Sequence, residues 1–64
     1  MNHFFFVYIS GAPDRYYQGS DRRGKPIWTE DKKLAAVFEW SHAWNKCRDS
    51  RRRRFQAKVG RLER

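Results

Sequence analysis

Cysteine is nearly absent from this sequence: Cys47 stands alone among 64 residues. A lone thiol cannot form a disulfide within the chain, which points to a reducing, cytoplasmic setting. Acidic residues are also few, seven Asp and Glu against fifteen Lys and Arg, for a formal charge of +8. Long hydrophobic runs are missing. The apolar opening stretch ends at Ser10 and has no basic segment before it, so neither a signal peptide nor a membrane span is expected. Catalytic signatures are missing too. There is no glycine-rich phosphate loop and no paired acids in a recognisable context. Ser41 and His42 are neighbours, and side chains at i and i+1 on a helix diverge by about 100°, which is no nucleophile and base pair. His42 and Cys47 lack the spacing and further ligands of a zinc site, and His3 is isolated. These absences predict a protein that is not an enzyme and holds no metal or cofactor; a small basic ribonuclease toxin is the weaker alternative.

Aromatic residues are plentiful, at 17% of the chain. That composition is unlike a disordered segment, and each large ring buries roughly 150–250 Å², so a single domain over residues 1–64 is expected to fold around aromatics. Residues 3 to 10 are β-branched and aromatic and read as a strand. Gly11, Pro13 and Asp14 supply a turn, with glycine offering a positive φ, and a hairpin into Arg15 to Gly19 follows. Residues 20 to 26 form a polar loop, and Ile27 and Trp28 a short third strand. Thr29 with Glu30 and Asp31 reads as a helix start. The apolar stripe beyond it jumps, with Leu34, Val37, Phe38 and Ser41 on one face and Ala36, Trp40, Ala43, Trp44 and Cys47 on another. That jump predicts a break or strong bend near Glu39 to Ser41, with Ser41 as a second cap. After Arg51 the pattern alternates, Phe55, Ala57 and Val59 against Arg54, Gln56 and Lys58, giving a half-buried strand that Gly60 is expected to end or bulge. The fold class is therefore α+β: an antiparallel sheet of three to four strands, from the N-terminal hairpin and the C-terminal strand, packed on one face by one bent helix or two short helices.

The order of an N-terminal hairpin, Trp28-Thr29-x-Asp31, Ala35-Ala36-x-Phe38, a helix and an alternating last strand resembles many small proteins encoded by bacteriophages and prophages. Some of that broad class are host-takeover factors or inhibitors of bacterial defence, and that is what the resemblance implies here. It supplies no binding residues. Arg51 to Arg54 and the tryptophan pair depart from the usual pattern.

The charge is placed unevenly. Nine cations and two acids lie between Lys46 and Arg64, so that segment carries +7 of the total. Four consecutive arginines are the most specific feature, because guanidinium offers a planar fork matched to phosphate or carboxylate. The competing account is that cations at a helix C-terminus complement the helix dipole. Arg48, Arg51, Arg52, Arg53, Arg54, Lys58 and Arg61 are the expected anion-binding residues. If the four arginines straddle a helix end, their side chains fan out. Trp40, Trp44 and Arg48, at i, i+4 and i+8, form a ladder that serves either as core, as a protein anchor or as a base-stacking platform. Tyr16 and Tyr17 face opposite sides of a strand, and the exposed one, beside Arg15, Arg22, Arg23 and Lys25, could extend the surface. The expected partner is nucleic acid, DNA or RNA, bound without a membrane. The alternative is an acidic or nucleic-acid-handling host protein, met by an inhibitor with the same basic side.

Overall fold

The computed structural model describes residues 4–62. Four strands, β1 (Phe4–Ile9), β2 (Arg15–Ser20), β3 (Pro26–Thr29) and β4 (Ala57–Leu62), form one antiparallel sheet in the order β3-β2-β1-β4. One helix, α1 (Trp40–Arg52), lies on one face, and a single 3₁₀ turn spans Lys32–Leu34. The expected α+β class is what the chain adopts.

Alternation along β1 sorts its side chains. Val7 packs with Ala43 and Cys47 of α1 and with Tyr17 and Ala57, all buried. Phe6 and Tyr8 point the other way, where their rings meet each other and Tyr16. Tyr16 and Tyr17 do face opposite sides, and it is Tyr17 that is buried. Complete burial of Val7 contributes about 1.5–3 kcal/mol. Gly60 does not interrupt β4, which runs on to Leu62. It sits opposite Phe6, and a Cβ there would lie 2.5 Å from the Phe6 ring. The glycine is thus a seat for an aromatic ring.

The turn after β1 uses its aspartate as expected, since the Gly11 N–H donates to Asp14 Oδ1 at 2.8 Å. Among the described glycines, however, only Gly24 has a positive φ, so Gly11 does not use that freedom. Gly24 closes the β2–β3 tip, where Asp21 Oδ1 accepts from the N–H groups of Arg23 and Lys25.

No helix starts at Thr29, which corrects the expectation. Thr29 ends β3, and Asp31 caps only the 3₁₀ turn by accepting from the Lys33 N–H. The chain then runs extended. Phe38 exchanges both backbone hydrogen bonds with Phe5, and the Ala36 N–H donates to the Tyr17 carbonyl. Residues 36 to 38 thereby bridge β1 and β2 beyond the short stretch where these strands pair directly, Tyr8 with Tyr16 and Ile9 with Arg15. A bonded, extended segment prevails over local capping chemistry because it satisfies backbone groups of two strands at once. The helix begins at Trp40, within the expected break, but Ser41 does not cap it: Glu39 is in the capping position and Ser41 lies inside the first turn.

Candidate nucleic-acid interface

Helix α1 rests on the sheet through small side chains. Ala43, Cys47 and Ser50, spaced i, i+4 and i+7, are its buried residues. Small residues let the backbone approach the sheet closely and leave no room beneath it for indoles. Trp40 and Trp44 are therefore displaced to the flank, 56% and 39% exposed. The structure answers the core-or-surface alternative in favour of surface.

The two indoles are nearly parallel, 16° apart with ring centroids at 6.4 Å. Trp40 is held from the sheet side by the Phe5 ring, edge-on at 5.3 Å. At the other end the Arg51 guanidinium lies 5.5 Å from the Trp44 ring centroid, a cation–π contact. Arg48, expected to complete the ladder, instead donates to Asn45 Oδ1 at 3.1 Å. Arg51 takes its place because its Nε also donates to the Ala57 carbonyl at 3.0 Å, tying the side chain to β4. The same carbonyl accepts the Cys47 thiol at 3.3 Å. Burial pushes the Cys47 thiol above its ordinary pKa, with the Arg51 guanidinium pulling in the other direction.

The four arginines do diverge, because the helix ends among them. Arg51 and Arg52 close the last turn, and Arg53 is the C-cap. Arg54 has φ +71°, in the left-handed region. The Phe55 N–H donates to the Ser50 carbonyl and the Arg54 N–H to the Arg51 carbonyl, both at 3.0 Å, which is the Schellman pattern with arginine where glycine is usual. Arg52 and Arg53 line a groove of about 540 Å³ between α1 and the β2–β3 hairpin, with Lys46, Asp49, Ser20 and Tyr17. Arg53 reaches the hairpin tip, 3.7 Å from where a Cβ on Gly24 would stand. Arg54 lines a different groove of about 500 Å³ with Arg15, Trp28, Phe55 and the 10–13 turn.

Of the remaining expected residues, Arg61 pairs with Phe5 on the helix-facing side of β4, while Lys58 pairs with Tyr8 on the opposite face. Lys58 is thus separated from the helix cations. That opposite face carries a cluster the sequence pattern alone did not single out. Phe6, Tyr8 and Tyr16 meet there, and Lys32 Nζ lies 5.1 Å from the Phe6 ring centroid. The alternation of β1 was its only signal.

Among the described residues Arg48, Arg51, Arg52, Arg53, Arg54 and Lys58 form no ion pair. No group of three or more His, Cys, Asp or Glu side chains there is placed to hold a metal ion. No described helix is long and apolar enough to cross a membrane. No family model matches the chain. Nor does any curated protein or solved structure match it.

Proposed function

We propose that this protein is a non-enzymatic accessory protein of phage or mobile-element type that binds nucleic acid through its basic C-terminal face. The observation that carries the reading is the set of helix-end arginines, whose backbone is placed by the helix C-terminal motif and whose guanidiniums have no carboxylate partner among the described residues. Guanidiniums so placed keep most of their five donors for phosphate oxygens. Complementing the helix dipole accounts for cations in the last turn, Arg51 and Arg52, and leaves Arg53 and Arg54 beyond it unexplained.

Binding of this kind releases counterions, so affinity falls steeply as salt rises. The test is binding of labelled DNA and RNA against salt, comparing the native chain with an Arg52→Ala/Arg53→Ala variant. This pair is chosen because replacing Arg51, tied to β4, or Arg54, in the left-handed C-terminal position, would also change the stability of the fold. Each lost phosphate contact is expected to lower the salt slope by about one. An unchanged slope would refute the role given to these two arginines.

Exposure of Trp40 and Trp44 supports a second reading, an inhibitor directed at a host nucleoprotein, transcription or defence complex, because exposed tryptophan is a frequent interface anchor. A pulldown from bacterial lysate with and without nuclease separates the two. A stoichiometric protein partner that survives nuclease favours the inhibitor, and loss of all captured material favours nucleic acid.

A further inference from the structure

We infer that the nucleic acid is single-stranded, and that its bases stack on the Trp40–Trp44 ladder. This rests on the reading of the protein as a nucleic-acid binder and adds which form of the polymer it takes. In a duplex the base faces are covered by their neighbours, so an aromatic platform on a protein surface is useful only to a strand whose bases are unstacked. Three features make this flank such a platform. The indoles are 56% and 39% exposed and nearly parallel, so bases can lie against the uncovered part of each ring along the helix. They are held in place before any ligand arrives, by the Phe5 ring at one end and the Arg51 guanidinium at the other. Cations stand beside them, because Arg48 is one helical turn beyond Trp44 and Arg51 lies against the Trp44 ring. An acidic protein would use the charge and an exposed indole as an anchor, but the parallel arrangement of the two rings adds nothing to that use. The opposite sheet face also carries rings, yet there Phe6 is only 8% exposed.

Indole stacking is sequence-tolerant, since every base has a π face, so a homopolymer is a fair probe. The experiment measures fluorescence anisotropy of labelled oligothymidylate and of a labelled DNA duplex, at one salt concentration. It compares the native chain with Trp44→Ala, Trp44→Phe and Tyr16→Ala, each checked for native circular dichroism. The expected result is tighter binding of the single strand and a loss of about five- to a hundredfold for Trp44→Ala on that strand alone. Trp44→Phe is expected to recover much of the loss, and Tyr16→Ala to change little. Equal losses on single strand and duplex would overturn the inference. So would a loss confined to Tyr16→Ala, which would move the platform to the opposite sheet face. In either case salt-dependent binding would persist, and the broader nucleic-acid reading would stand. Absence of binding to both polymers would remove both readings and leave the protein-directed inhibitor.

Discussion

Replacing Arg54 by glycine should make this protein more stable, although it removes a charged side chain from its most conspicuous motif. Arg54 occupies the left-handed position of the helix C-terminal motif with φ +71°. A residue carrying a Cβ pays about 1–2 kcal/mol to sit there. Glycine avoids that clash but loses about 0.5–1 kcal/mol more backbone entropy on folding. The difference leaves a net gain of about 0.5–1 kcal/mol. In a domain of this size each kcal/mol moves the midpoint by about 4–8 °C, so Arg54→Gly is expected to raise Tm by about 2–8 °C. Thermal denaturation followed by circular dichroism measures it. Because the chain is at +8, removing any cation also relieves self-repulsion. Arg54→Ala is the control, since it loses the same charge and keeps the Cβ. If alanine stabilises as much as glycine, or glycine gives no rise, the strain argument fails. Measured alongside, a loss of nucleic-acid affinity in Arg54→Gly would identify a guanidinium kept at the expense of stability.

Gly60→Ala is expected to destabilise the fold by about 1–3 kcal/mol, because the new methyl group collides with the buried Phe6 ring; chemical denaturation reads the change. The Cys47 thiol should react slowly with alkylating reagents in the native protein and rapidly on unfolding, as its complete burial requires. Its raised pKa also sets a sign. Above about pH 8.5 the unfolded chain releases the thiol proton first, so folding stability falls with rising pH; Cys47→Ala should lack that share of the slope in denaturation measured across pH.

The strands were legible because their signals are local. The β-branched and aromatic run of β1, the alternation along β4, the aspartate in the Gly11–Asp14 turn and the breaker-rich 20–26 loop each follow from neighbouring residues. The region between Thr29 and Trp40 was not legible, because what shapes it is distant: Phe38 bonds to Phe5 and Ala36 to Tyr17. A capping signal at Thr29-Glu30-Asp31 describes what an isolated peptide would do and says nothing of strands waiting for a partner. The tryptophans were misleading in a similar way. A period of four joins Trp40 and Trp44 to an apolar stripe, and only the size of Ala43, Cys47 and Ser50 indicates that the helix lies too close to the sheet to shelter an indole. At the candidate site the spread of the arginines was foreseeable from the change of period after Arg51. The exchange of Arg48 for Arg51 was not, since it depends on the Ala57 carbonyl.

Strand β1 lies in the interior of the sheet, and along its whole length its partner is β4, with Phe4 opposite Leu62 and Ile9 opposite Ala57. During synthesis the first strand to leave the ribosome therefore waits for the last. Until Ala57 to Leu62 emerge, Phe-Phe-Phe-Val-Tyr-Ile has one side open, and such a run is what intermolecular β-pairing selects. Yield in cells should accordingly depend on how quickly synthesis reaches β4. A truncation within β4 should produce aggregate rather than a smaller folded protein.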